Sequence, residues 1–450
     1  METRVKDMTQ GNPLRLIVTF ALPLMIGNIF QQLYTVVDTM VVGKAFGVDA
    51  LAALGATDWL YWMQLGMVQG ITQGFGILIA REFGAKNFDN LRKVTANSAL
   101  LSVVCAIILL ILGQLIARPI LELLNTPDSI INNSLLYLRI MFMGIPIVMA
   151  YNLFACILRA LGDGKSPLNA MIIASITNIV LDILFVLIFQ WGIAGAAVAT
   201  LIAQIVSGAF CLQRIRRVSF MKLYYKDFRP DVQMCARLLG LGTPMAAQNA
   251  IIAIGGMIIQ SVVNSYGVAF IGGFTASNKL YGVLEIAASS YGYAMITYVG
   301  QNLGANKIER IRKGVRLAVV VSIATSLLIA GIMVLLGRNI ISMFISGKPQ
   351  EVIEATRVGY NYLVTMSICL PILYILHVVR SSIQGLGNTI LPMLSGMVEF
   401  IVRTGGVFLL PFLLGENGIF VAEVSAWFGA DLILVLSYLI VIRKVSKKTS

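Results

Sequence analysis

Gly84-Ala85-Lys86-Asn87, with Arg92-Lys93 shortly after it, returns as Gly304-Ala305-Asn306-Lys307 followed by Arg312-Lys313. Upstream, Pro23 and Gly47-Val48 match Pro244 and Gly267-Val268. Downstream, Tyr137-Leu138, Pro146, Leu161-Gly162-Asp163, Pro167 and Gly192-Ile193 match Tyr362-Leu363, Pro371, Leu386-Gly387-Asn388, Pro392 and Gly418-Ile419. The offset is 220 residues at Gly84 and 226 at Gly192. Solenoid repeats run to only about 50 residues. So long a period, inside apolar sequence, describes two related membrane-embedded lobes of the kind that place a site at their junction.

Composition requires the membrane. The 450 residues are 58% hydrophobic and 12% charged, with a mean hydropathy of +0.85, too little polar surface for a soluble globule of this length. Crossing about 30 Å of hydrocarbon takes roughly 20 apolar residues, and twelve stretches qualify. They run from Leu16 to Val42, Leu51 to Ala80, Val94 to Ile116, Ile130 to Leu158, Leu168 to Phe189, Ile193 to Leu212, Leu238 to Asn264, Phe270 to Val299, Val315 to Leu336, Val352 to Ile383, Leu391 to Leu414 and Ile419 to Ile442. The expected fold is an all-α integral membrane protein of twelve helices in two six-helix lobes. Six crossings per copy give both the same orientation, so the lobes are expected to relate by a pseudo-two-fold axis along the membrane normal. The expected boundaries are residues 1–212 for the first lobe, 213–236 for a polar cytoplasmic linker and 237–450 for the second lobe.

The net charge of +13 is distributed by topology. With the N-terminus inside, the basic clusters Arg81 to Lys93, Arg214 to Arg237, Lys307 to Arg316 and Arg443 to Lys448, together with Arg4, face the cytoplasm, while Lys44, Arg118, Arg338 and Lys348 fall outside. This positive-inside bias puts both termini in the cytoplasm and accounts for the basicity without nucleic acid. Cys105, Cys156, Cys211, Cys235 and Cys369 lack CxxC spacing, so neither a disulfide framework nor a zinc site is indicated. The first apolar segment contains Asn28, Gln31 and Asp38 and reads as a retained helix rather than a signal peptide.

Carboxylates inside the apolar zone are the informative residues, since each costs roughly 2.5–3.5 kcal/mol to insert. Asn28, Gln31, Thr35 and Asp38 follow one another at steps of three or four and form a polar stripe on one helix face. Asn178 lies one turn before Asp182, and the next helix offers Thr200 and Gln204. Grouped oxygens of this type coordinate a hard cation such as Na⁺, and two acids in low dielectric share a proton. Residue types alone leave both open. At the repeat offset Asp38 meets Ile258 or Ile259, Asp182 meets Val407 and Thr200 meets Ala426, so this constellation occurs in the first copy only. In the second copy Glu285, flanked by Tyr281 and Ser289, is expected either to meet a cationic substrate or to pair with Lys279 or Arg380. Glu399 and Arg403 are spaced for an ion pair within a helix. His377 reads as a packing residue or a proton relay, and Glu423 and Asp431 have no partner in sequence. Gly66, Gly70 and Gly74 form a close-packing stripe, and prolines at matching places, Pro146 with Pro371 and Pro23 with Pro244, permit bending.

In this order of motifs the chain resembles the multidrug and toxic compound extrusion family, and within it the DinF-like bacterial and archaeal branch. That resemblance implies a multi-pass plasma-membrane antiporter, working as a monomer, that exports cationic amphipathic compounds in exchange for inward H⁺ or Na⁺, with no cofactor beyond the coupling ion. It places ion-coupling roles on Asp38, Tyr137, Asn152, Asn178, Asp182 and Thr200, with Na⁺ held, if that is the ion, at Asp38, Asn178, Asp182 and Thr200. It makes Pro23 the bending point of the first helix and fits a contributing acid at Glu285, which joins Gln31, Thr35, Gln204 and Tyr281, read from the residues themselves, as candidate cavity residues. A lipid-linked oligosaccharide flippase of the same superfamily is the alternative, but it would be expected to present basic groups to pyrophosphate. A passive channel and a membrane enzyme are different classes, and the single histidine argues against the enzyme.

Overall fold

The computed structural model describes residues 5–124, 126–343 and 349–449, apart from the side chains of 34, 36, 39, 43, 44, 47–49, 51, 52, 268, 448 and 449. Arg4, Lys44, Gly47-Val48, Lys348 and Lys448 from the charge and repeat patterns therefore lie outside the described residues. The elements are helices α1 (Pro13–Gly84), α2 (Phe88–Leu123), α3 (Asp128–Met143), α4 (Ile145–Ala160), α5 (Lys165–Asp182), α6 (Ile193–Arg216), α7 (Val232–Val263), α8 (Val268–Gly304), α9 (Ile308–Ser342), α10 (Pro349–Ile368), α11 (Leu370–Gly385), α12 (Ile390–Leu409), a short α13 (Pro411–Leu414) and α14 (Asn417–Thr449). Among the described residues, eight helices are long and apolar enough to cross a bilayer, and ten spans result when each of two bent pairs counts as one. The other two expected spans lie in the second half of α1 and in α8. Both are helical but more polar, carrying Gln64, Gln69 and Gln73 in one and Lys279 and Glu285 in the other, and they bring ten to twelve.

The 72-residue α1 cannot be one straight rod, which would measure about 108 Å. Gly27 lies against Leu168 and Met171 at the start of α5, whereas Gly76 lies against Cys156 near the end of α4. Cys156 and Met171 flank a single turn, so α1 doubles back and supplies both of the first two crossings.

The chain divides into two compact units. The first comprises Met1–Met8 and Leu22–Ala246, and the second Thr9–Ala21 and Ala247–Ser450. The division differs from the expected linker at both ends. The polar segment 213–236 packs onto the first unit: Asn97 on α2 donates to the Arg229 carbonyl at 3.4 Å and accepts from the Asp231 amide at 3.1 Å. The start of α7 follows it because Gly70 and Gly74 on α1 meet the α7 backbone at Ala246 and Gly242, where a Cβ would collide. The glycine stripe thus serves close helix packing. Conversely Thr9, whose carbonyl accepts from Lys307 Nζ at 2.9 Å, belongs to the second unit.

Each unit repeats the other's local geometry. In the first, α6 packs on α4 and α5 while α2 packs on α3 and α4; in the second, α14 packs on α11 and α12 while α9 packs on α10 and α11. The matched prolines sit at matched breaks, with α3 and α4 bent by 48° and α10 and α11 by 50°. The quoted loops agree in backbone conformation as well: Lys86 and Asn306 have φ of 57° and 56°, and Gly162 and Gly387 have 80° and 84°. A left-handed residue at each turn lets the chain reverse between helices.

Candidate functional site

Two polar levels and an apolar one lie along α1 and α5 of the first unit. Gly27 lets α1 approach α5 closely, and Ser175 Oγ donates to the Met171 carbonyl at 2.8 Å and to the Phe30 carbonyl of α1 at 3.4 Å. The two helices then run side by side, and their polar stripes meet level by level.

At the first level a small cleft is lined by Gln31, Tyr151, Met171, Asn178, Thr200 and Gln204. Asn178 Nδ2 donates to Thr200 Oγ1 at 3.3 Å across the α5–α6 contact. That bond leaves Asn178 Oδ1 buried without a partner, as is Gln204 Oε1. One turn on, Asp38 and Asp182 stand within hydrogen-bonding reach of each other. Asp182 is fully buried, and Asp182 Oδ1, Asp182 Oδ2 and Asp38 Oδ1 find no donor among the described residues. Two ionised carboxylates have no hydrogen to share, so their contact becomes a hydrogen bond only when one of them carries a proton. No cationic side chain among the described residues pairs with either. At the third level, one turn beyond each acid in sequence, Val42 and Val186 join Ile193, Met141 and Tyr137 in a buried apolar cluster.

The helix carrying Asp182 changes form directly after it. Residues Ile183–Ile188 are π-helical, a wider winding that occurs mostly as short insertions, often at functional sites. Within it Phe185 stacks on Trp191, which lies just beyond, at 4.6 Å.

Of the residues singled out from sequence, the structure gathers Gln31, Asn178, Thr200 and Gln204 around the cleft and Asp38 and Asp182 beside it. Others go elsewhere. Thr35 is exposed, with its hydroxyl donating to the Gln31 carbonyl at 3.0 Å. Asn152 is buried but spends its amide on the Val148 carbonyl of its own helix at 2.8 Å; the residue of α4 that lines the cleft is its neighbour Tyr151. Tyr137 belongs to the apolar layer. Pro23 lies inside α1.

Asp58 was missed. It lies within electrostatic range of Asp38, a third carboxylate toward the cluster from the returning half of α1. The insertion-cost argument that picked out Asp38 and Asp182 applies to it equally, because it too lies in an apolar stretch.

The second unit is built differently. Glu285, expected opposite Lys279 or Arg380, faces His377 instead, with Nε2 to Oε1 at 3.4 Å. Arg380 is taken by Glu399, which also holds Arg403, each at 2.7 Å. The i,i+4 pair read from sequence is therefore real but only half of a triad. Tyr281 is buried and stacks on Trp427 at 5.8 Å.

Comparison with known proteins agrees with both the repeat and the fold. The MatE family model matches residues 23–184 and again 244–409. A probable multidrug resistance protein, YpnP of Bacillus subtilis, is 30% identical over 92% of this chain and 92% of its own length. The multidrug export protein MepA of Staphylococcus aureus is 22% identical over 93% of this chain and 92% of its own. Among solved structures, an outward-facing multidrug resistance transporter of the MATE family superposes with a TM-score of 0.91 at 21% identity, covering 99% of this chain and all of the other. A MATE structure in a bent conformation gives 0.90 at 21% identity over 100% and 99%. With two family-model matches that fall on the two copies of the repeat, the chain belongs to the MatE family of membrane transporters, and it is not an enzyme.

Proposed function

We propose that this protein is a multidrug exporter of the plasma membrane that moves lipophilic cations outward in exchange for inward protons, with Asp38 and Asp182 as the exchanged site. The observation that carries the reading is the facing pair of carboxylates with no cationic partner among the described residues and with orphaned oxygens. Ionised, the pair with Asp58 beside it makes a negative locus that attracts a cation. One proton bridging the pair halves its charge, from two negative units to one, and the cation loses much of its hold.

Occupancy by proton and by drug is then mutually unfavourable, and by linkage each weakens the other to the same degree. With one proton in for one monovalent cation out, no net charge crosses the membrane, so the pH gradient drives export, at about 1.4 kcal/mol or roughly tenfold accumulation per pH unit. The names of the relatives YpnP and MepA point the same way. A flippase for a pyrophosphate-linked substrate would need basic groups where this cluster presents acids. The chain works as a single copy with both termini in the cytoplasm, in accord with its distribution of Lys and Arg.

Sodium is the second reading, favoured by one observation: the unpaired carbonyl oxygens of Asn178 and Gln204 add neutral ligands to the carboxylates. Dye efflux from proteoliposomes under an imposed proton gradient or an imposed Na⁺ gradient separates the two. Proton-driven efflux, insensitive to Na⁺, is the expected result; efflux driven by Na⁺ alone assigns the site to sodium, and dye movement that never runs uphill makes the protein a passive channel.

A further inference from the structure

The second unit buries two carboxylates and two guanidiniums and half-buries a third carboxylate, Glu423. Arg380 on α11 and Arg403 and Glu399 on α12 are 7%, 6% and 4% exposed, and Asp431 on α14 is 8% exposed. Glu399 offers one oxygen to each guanidinium, both at 2.7 Å. Glu423, a few turns before Asp431 on α14, accepts from the Tyr362 hydroxyl of α10 at 3.1 Å and neighbours Arg403. Two guanidiniums are thus balanced by Glu399 and Glu423, and Asp431 is the acid left over. Its Oδ1 is buried and has no hydrogen-bond partner among the described residues. Asp431 lies near the middle of a 31-residue span, where an uncompensated charge is least tolerated.

We infer that Asp431 is a second proton-binding site, set in the second unit and separate from the Asp38–Asp182 pair. The groups that face it are Arg380 from α11 and Glu399 from α12. Arg403 of α12 and Glu423 of its own helix answer each other, Tyr362 of α10 bonds Glu423, and Glu285 and His377 form a pair of their own. The carboxylate oxygens here are already shared with the Arg380 guanidinium, which repels a metal cation, so the occupant is a proton. Its presence has a mechanical effect. While Asp431 is neutral, Arg380 stays with Glu399 and ties α11 to α12; once the proton leaves, Asp431 competes for Arg380 and draws it toward α14.

Infrared spectroscopy of the full-length protein in lipid, with aspartate carboxyl carbons labelled with ¹³C, tests this without relying on transport. In an Asp38→Asn, Asp182→Asn background, which removes the first-unit pair, one ¹³C-shifted carboxylic-acid C=O band is expected at neutral pH. Adding Asp431→Asn should remove it. Adding Asp431→Glu instead should move it to the unlabelled position, which reads the site even where the asparagine variant folds poorly. A background spectrum without such a band, or a band that survives both changes at Asp431, overturns the proposal. Because the background already lacks Asp38 and Asp182, either outcome leaves the proposed transport mechanism standing or falling on its own test.

Discussion

The two units share a backbone plan and solve the problem of buried acid in opposite ways. In the first, Asp38 and Asp182 meet with no basic residue among their described neighbours, and the deficit is left open to something from outside. In the second, Glu399 is answered twice, by Arg380 and Arg403, so that most of the buried acid is absorbed into the protein's own charge balance and only Asp431 is left over. A carboxylate in a membrane span is therefore not by itself a sign of transport chemistry. What distinguishes an exchanging site is whether the protein supplies the counter-charge, and duplication followed by divergence has set both answers in one chain.

That contrast can be broken most directly at Glu399. Replacing it with Ala strands two buried guanidiniums, and removing one partner of a buried pair costs about 3–5 kcal/mol; thermal unfolding in detergent should fall steeply, and an unchanged melting temperature would place the triad outside the structural account. At Asp182 the signs reverse. Asp182→Asn relieves repulsion and should leave melting unchanged or slightly raised, while proton-driven dye efflux falls by about 100-fold, the upper range of a single coupling energy. The same pair predicts a pH dependence of binding: as pH falls and the pair takes up its proton, affinity for a cationic dye should weaken by at most about tenfold per pH unit, the slope of one-proton linkage. A dye whose affinity ignores pH separates substrate from the acids.

Thr200→Val keeps volume and removes the hydroxyl that accepts from Asn178. A loss of about 1 kcal/mol, or roughly fivefold in apparent affinity, is expected in an equilibrium dye-binding assay. The smallest effect belongs to Glu285→Gln. Its side chain is 41% exposed and its partner is a histidine at 3.4 Å, so a change in melting corresponding to no more than about 1 kcal/mol is expected. A larger loss would promote this pair to the buried network.

Much of this was legible in the chain. Helices announce themselves by apolar length, and the repeat by its glycines and prolines, because those residues mark backbone requirements that survive divergence: the matched bends beside Pro146 and Pro371 are the clearest case. Spacing of three or four put Gln31 with Asp38 and Asn178 with Asp182 on one face each, although Thr35 of the same stripe is exposed. Besides Asp58, three things escaped. Tyr151 and Asn152 are neighbours on α4, and only packing decides which one faces the cleft. Arg380 reaches Glu399 across 19 residues of sequence, and no local spacing encodes that. The π-helical stretch after Asp182 follows from tertiary packing of a Leu, Ile, Val and Phe segment that would read equally well as α-helix.

The left-handed turns at Lys86 and Asn306 suggest a use beyond transport. The second copy fills its turn with asparagine, a side chain that tolerates positive φ, whereas the first holds a lysine there at a penalty of roughly 1 kcal/mol. The protein thus contains a worked example of its own improvement: Lys86→Asn transplants one copy's choice into the other at a solvent-facing loop, far from either acid cluster. For a protein that must be extracted in detergent before anything can be measured, the duplication doubles as a catalogue of stabilising substitutions already tested in the same backbone.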